Sequence, residues 1–270
     1  MDAQPERVAE FHRLHASGCF VMPNPWDIGT ARMLESMGFP ALATTSAGFA
    51  WTVGKTDAHA GLEEVLAHLR AIATGVGVPV NADFEGGYAV DPEEVAENVG
   101  RAARTGIAGL SIEDSSHDPA APLLDRSLAA ARIEAAREAI DASGTEVLLT
   151  GRSEGFVVGV PDLDETVLRL QAYAAAGADC LYAPRLGTVE EVRTIVEAVA
   201  PKPVNLLVNA PFTTVAEAAD LGVRRISVGG TLARAAWGGW LAAAREIADD
   251  GTFTAFTDLP NVDAAIGGGA

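Results

Sequence analysis

Short apolar, β-branched runs begin near Cys19, Ala41, Pro79, Gly109, Val147, Cys180, Val204 and Arg225. Between most of them the chain turns to Ala-, Glu- and Arg-rich stretches whose apolar residues recur at helical spacing. The clearest predicted helices cover 91–105, 127–142, 162–176, 188–199 and 231–248. Asp91-Pro92-Glu93-Glu94 and Pro161-Asp162 put acid and proline in a first turn, where the free N–H groups and the helix dipole favour them. Eight strands recurring about every 29 residues, each followed by a helix, predict a parallel sheet. The expected fold is therefore α/β, a single-domain (β/α)8 TIM barrel over residues 1–248. Residues 249–270 form the expected C-terminal tail, which has no clear period and runs into Gly267-Gly268-Gly269.

Composition narrows the function classes. At 49% apolar and 21% charged, the 270-residue chain is too apolar for a disordered protein and long enough to bury a large core. Its 37 acidic and 19 basic residues give a net charge of −18, which argues against nucleic acid and against an anionic membrane surface. No apolar run reaches the 18 or so residues of a membrane span, and the amino-terminal stretch has no apolar core of a signal peptide, so a cytoplasmic protein is expected. Cys19 and Cys180 both fall in strand-like runs and read as buried free thiols of a reducing compartment.

In such barrels chemistry gathers at the carboxyl ends of the strands. The second strand ends at Ser46-Ala47-Gly48, whose small residues suit a nest of backbone amides for an oxyanion, with Asp57 and His59 in the loop that follows. On the third, Asn81, Asp83 and Glu85 alternate and are expected to share one side. The fourth repeats the pattern with Ser111 and Glu113. Converging carboxylates of this kind call for a cation, and an all-oxygen set suits Mg²⁺ or Mn²⁺, although each acid alone could be a solvated or hydrogen-bonded loop residue. The fifth strand brings Arg152, with Glu154 two residues on; Arg152 could clamp a substrate carboxylate or form a structural ion pair. Arg185 and Asn209 close the sixth and seventh strands as candidate substrate-binding groups, and Gly229-Gly230 ends the eighth as a phosphate turn or a plain tight turn.

Other motifs fail on their own logic. Gly151-Arg152-Ser153-Glu154-Gly155 fits a hydrolase nucleophile elbow, but all five histidines precede Ser153, so the required order is absent. Lys55 and Lys202 sit away from strand ends, which disfavours Schiff-base chemistry. Gly75 and Gly77 precede a strand instead of following one, against a dinucleotide fingerprint. His12 and His15 read as neighbours on a solvated helix face.

Taken together, TTSAG, NADFEGGY, GLSIED and TGRSEGF at successive strand ends resemble the isocitrate lyase/phosphoenolpyruvate mutase superfamily, and PNPWDIGTARMLESMGFPALATTS resembles its first βα unit. The resemblance spans residues 10–245. It implies a Mg²⁺-dependent barrel (Mn²⁺ as substitute) acting on small 2-oxo or 2-hydroxy acids, in which an enolate is stabilised. It further implies Asp83 as direct metal ligand, with Asp57, Glu85 and Glu113 holding the metal's waters. Ser46 and the amides of Ala47 and Gly48 would hold the substrate oxyanion, and Arg152 its carboxylate. Family members often exchange their last helix between subunits, so a homodimer or homotetramer is implied, and Trp237 and Trp240 would suit that packing.

The loop after the fourth strand departs from the family. Lyase members carry a lysine–lysine–cysteine–glycine–histidine segment there, and mutases a loop bearing lysine and asparagine; here it reads Ser115-Ser116-His117-Asp118-Pro119. The chain thus resembles a phosphonomutase-like branch without the lyase cysteine, and His117 is the candidate proton carrier, unless it is simply an exposed loop histidine. Decarboxylation least needs the missing residue, because a solvent proton can complete it. The expected function is a lyase on a small 2-oxo acid or dicarboxylate, by decarboxylation or C–C cleavage. The alternative is P–C chemistry on phosphoenolpyruvate or carboxyphosphonoenolpyruvate, and a third reading is a non-catalytic carboxylate-binding barrel.

Overall fold

The computed structural model describes residues 3–267; residues 1–2 and 268–270, including the last part of the expected glycine tail, lie outside it. The helices are α1 (Gln4–Ala16), α2 (Ile28–Ser36), α3 (Ser46–Thr52), α4 (Leu62–Gly75), α5 (Pro92–Ala103), α6 (Arg126–Ser143), α7 (Leu163–Ala175), α8 (Val189–Val199), α9 (Val215–Asp220), α10 (Thr231–Asp250) and α11 (Val262–Ile266). The strands are β1 (Phe20–Val21), β2 (Leu42–Ala43), β3 (Val80–Asp83), β4 (Gly109–Glu113), β5 (Leu148–Arg152), β6 (Cys180–Tyr182), β7 (Val204–Leu207) and β8 (Arg225–Ser227). All pair in parallel, in the order β1-β8-β7-β6-β5-β4-β3-β2. The sheet curls as a (β/α)8 barrel does. Its two edges are joined just beyond β1, where the Ala43 N–H donates to Pro23 C=O at 3.0 Å.

The helix starts follow from local chemistry. Asp27 and Thr30 form a reciprocal cap on α2, as do Thr188 and Glu191 on α8, while Asp91 and Asp162 cap α5 and α7. The continuous apolar strands need cover on both faces. Leu110, Ile112, Leu149 and Leu181 are buried against the surrounding helices.

α1 closes the amino-terminal end of the sheet. Its Phe11 is fully buried, and a Cβ on Gly109 would come within 2.6 Å of the Phe11 ring and 2.7 Å of Asn81 Oδ1. Only glycine lets β4 begin under that helix. At the other extreme, α10 buries only Ala233, and α11 folds back onto α2. Cys19 is partly buried just before β1, Cys180 is buried in β6, and both are free thiols. Among the described residues no helix is long and apolar enough to cross a membrane.

Candidate active site

The carboxyl ends of the strands enclose a cavity of about 190 Å³. Ser46, Ala47, Asp57, Asp83, Arg152, Arg185 and Asn209, all singled out from the sequence, line it. At its centre stands Arg152, the last residue of β5. Its Nη1 is 3.0 Å from Asp83 Oδ1 and 3.2 Å from Glu113 Oε2, and its Nε donates to Glu154 Oε1 at 2.5 Å. The guanidinium also faces the Tyr182 ring, 5.3 Å from its centroid. Register explains the meeting of Arg152 and Glu113, which are paired residues of neighbouring strands.

Asp83 is held from the opposite side as well. The Ser46 N–H donates to its Oδ2 at 2.9 Å, and the Thr44 hydroxyl accepts from the Asp83 N–H at 2.9 Å. The Ser46 hydroxyl reaches Asp57 Oδ1 at 3.3 Å on the exposed rim. Three acids, Asp83, Glu113 and Glu154, therefore crowd one deeply held cation. Burial, and then the neighbouring Glu154, Asp83 and Glu85 charges, push the Glu113 carboxyl well up, against the pull of Arg152. Burial and the Asp83 charge raise Glu85 to about 7, and the same two causes raise Asp57. Burial opposes the Arg152 charge, yet Glu154, Glu113 and Asp83 hold the guanidinium protonated well beyond its usual range.

Several expected placements differ. β3 ends at Asp83, and Glu85 follows at φ 47°, so the pleat that was to align Asn81, Asp83 and Glu85 is broken. Glu85 turns into a second cavity with Tyr88, whose hydroxyl donates to Glu85 Oε1 at 3.1 Å. Consequently Asp57, Asp83, Glu85 and Glu113 do not share one pleated face, although the Asp83 charge still acts on the other three. Among the described residues no three His, Cys, Asp or Glu side chains come close enough to enclose a metal ion by themselves. His117, at φ 59° on an exposed hairpin-like loop, also lines the second cavity and does not join Arg152.

The expected amide nest is instead the first turn of α3. The Gly48 N–H is taken by its cap, donating to Thr45 Oγ1 at 3.3 Å, and a Cβ there would lie 2.9 Å from Trp26 Cβ. Gly48 is thus a packing residue, and of the expected nest Ser46 and Ala47 face the cavity. Gly229 is likewise committed: Asn24 Oδ1 accepts from the N–H groups of Val228 and Gly229, both at 2.9 Å. His12 and His15 part company, one bonding Glu146 C=O at the surface and the other buried against Arg225.

Sequence reasoning missed Asn24, Thr44, Arg225 and Arg234 among the lining residues, and the buried Asp114 behind them. Asp114 accepts from the Glu154 N–H at 2.7 Å, from Arg169 at 3.1 Å and from the Tyr173 hydroxyl at 2.5 Å. Its signal was only an acid following Glu113 at a strand end.

Comparison with known proteins places the chain in a family. The sequence model described as phosphoenolpyruvate phosphomutase matches residues 11–248. The chain is 27% identical over 238 residues to the 2-methylisocitrate lyase of Aeropyrum pernix, covering 86% of this chain and 76% of that one. A crystal structure of a candidate lyase/mutase from Burkholderia cenocepacia J2315 superposes with a TM-score of 0.93 at 42% identity, over 97% of this chain and 96% of the other. Oxaloacetate acetylhydrolase, solved in complex with its product oxalate, gives a TM-score of 0.86 at 25% identity, over 97% and 94% of the two chains. With a family match across nearly the whole curled sheet and an arginine–carboxylate cluster at its strand ends, the chain belongs to the phosphoenolpyruvate phosphomutase family, within the isocitrate lyase/phosphoenolpyruvate mutase superfamily of lyases and mutases.

Proposed function

We propose that the chain is a divalent-metal-dependent lyase that cleaves or decarboxylates a small 2-oxo acid or dicarboxylate through an enolate. The observation that carries the reading is the position of Arg152, whose Nη1 and Nε are bound to acids while its Nη2 makes no hydrogen bond among the described residues. A planar guanidinium with a free Nη2 beside a small polar cavity suits one carboxylate of a compact substrate. The Ser46 and Ala47 turn faces it across the cavity, where an oxyanion could be met.

The donor set fits a hard divalent cation. Burial first, and neighbouring carboxylates with it, push Asp57, Glu85 and Glu113 towards protonation, which a cation beside them would oppose. Asp83 would be the direct ligand, with Asp57, Glu85 and Glu113 reached through water, a pattern that Mg²⁺ tolerates because it keeps much of its hydration. When bound, Mg²⁺ or Mn²⁺ would supply charge against the negative oxygen that develops on the substrate. The chain's own part is to fix the carboxylate with Arg152, orient the carbonyl with Ser46 and exclude bulk water.

A second reading rests on the opposite rim. Arg185, Arg234 and Asn209 line the same cavity, and two further cations beside Arg152 suit a phosphonate dianion, hence P–C chemistry. In either case residues 1–248 would act as one closed barrel in the cytoplasm, with 249–270 as an appendage and α10 exchanged between copies.

Thermal unfolding tests the site. Oxalate, which has the shape and charge of a pyruvate enolate, should raise Tm only when Mg²⁺ or Mn²⁺ is present. No shift with both present rejects the metal-dependent reading. Following oxaloacetate loss beside the ³¹P signal of phosphonopyruvate separates the lyase from the mutase.

A further inference from the structure

One layer beneath Arg152, the sheet interior holds a second arginine with a different character. Arg225 opens β8, is 1% exposed, and lines the floor of the same cavity. Among the described residues no carboxylate lies within ion-pair distance of it. Its Nε donates to Asn205 Oδ1 at 3.0 Å, its Nη2 to Thr150 Oγ1 at 2.9 Å, and its Nη1 to Asn81 Oδ1 at 3.5 Å. The remaining contact, Nη1 to His15 Nε2 at 3.2 Å, requires a neutral imidazole, since the His15 Nδ1–H is spent on Phe11 C=O at 2.7 Å. All four partners are uncharged.

A buried cation without a counter-charge is unfavourable, because burial removes the hydration that stabilises the charge. Asp83 is paired with Arg152 and the Ser46 amide, and not with Arg225. A guanidinium has five N–H groups, and four are used here, which leaves one on Nη2. Access is one-sided: Phe11, His15 and Phe20 stack edge to face below Arg225, so anything that reaches it enters from the cavity above. Thr150, which holds Arg225, precedes Arg152 by two residues of β5, about 7 Å of strand.

We propose that the floor of the cavity is a site for a small monovalent anion, a halide or a formate-sized carboxylate, with Arg225 as its counter-charge. Asn205, Asn81 and Thr150 hold the guanidinium in place, and α1 seals it from below. The ion comes from solvent, or it is the far carboxylate of the substrate that Arg152 grips by the other end. The solvent ion would bind whichever reaction the enzyme runs, while the substrate's carboxylate as occupant rests on the proposed function.

Crystals of the wild-type chain soaked in sodium bromide should give an anomalous peak in contact with the Arg225 guanidinium. In solution, bromide, chloride and formate should each raise Tm by several degrees in a saturable manner, beyond any change given by sodium sulfate at equal ionic strength. The rise should vanish in Arg225→Gln. A peak without a saturable effect in solution would mean an adventitious ion only, and would overturn the proposal, as would no peak at all. The wild-type arms decide this even if the variant fails to fold. Oxalate then separates the sources: competition with bromide assigns the site to the substrate's carboxylate, and additive stabilisation assigns it to a resident ion. Either upholds it.

Discussion

The Nη1 of Arg152 lies 3.0 Å from Asp83 Oδ1, so the strand-end cation and the candidate metal ligand neutralise each other. A substrate carboxylate has to share this arginine, and a metal ion has to share this aspartate. Asp83→Asn keeps the shape but removes the charge that serves both. Arg152 retains Glu113 and Glu154, so the fold should survive. The expected outcome is a fall in kcat/KM of about a hundredfold or more, the scale seen when a preorganised charge is deleted from an active site. Mg²⁺-dependent stabilisation by oxalate should disappear with it. Steady-state kinetics on oxaloacetate and paired melting curves measure both, and full activity in Asp83→Asn would remove the assignment.

Asp114 sets the position of Glu154, and thereby of Arg152, through a bond from the Glu154 N–H. The buried Tyr173 hydroxyl donates to the same carboxylate at 2.5 Å. Tyr173→Phe removes one hydrogen bond to a buried charge and should cost about 1.5–3 kcal/mol of stability. Asp114→Leu leaves Arg169 without its buried partner and should cost about 3–5 kcal/mol. Denaturant unfolding reads both, and the order of the two losses is the test.

Acid should act on the chain through His15. Burial, then the Arg225 charge, lower its pKa from 6.5 to about 3. The unfolded chain therefore binds a proton that the folded chain refuses, between those two values. Stability from this group is complete above pH 6.5 and is lost as pH falls towards 3. Between pH 7 and pH 5 the loss comes to about 2 kcal/mol. The site carboxyls, raised by burial, have the opposite slope, so the effect is isolated by comparison with a variant. His15→Gln keeps an acceptor for Arg225 and does not titrate. Its stability should fall about 2 kcal/mol less than the wild type over this range, and parallel slopes would exclude His15 as the cause.

The alternation of strands and helices was legible because each parallel strand, buried on both faces, is an unbroken apolar run. Arg152, Asp83 and Ser46 were legible for the related reason that each stands at the end of such a run. Glu85 was not, although the signal lay in the chain: Gly86-Gly87 marks a turn, and the backbone has already left the strand at Glu85. α3 was read as a loop, yet Thr45 is a good helix cap ahead of an Ala-containing turn. Asn24 and Arg225 carry no local signature at all. Their partners lie up to about two hundred residues away, and only the curled sheet brings them together.

α10 makes the last expectation concrete. Its 20 residues span about 30 Å and bury only Ala233 within the chain. Trp240 is 61% exposed beside Trp237, Leu241 and Ile247 are exposed further along, and Phe253 and Phe256 continue the surface at 60% and 53%. So much apolar surface on one protruding element is uncommon in a monomer and suits a second copy of the chain packed against it. Light scattering should find a dimer or tetramer at micromolar concentration, and Tm should rise with protein concentration because association stabilises only the folded state. Trp240→Glu together with Phe253→Glu should give a monomer with unchanged far-ultraviolet circular dichroism. A wild-type chain that stays monomeric at tens of micromolar would show that α10 has no partner.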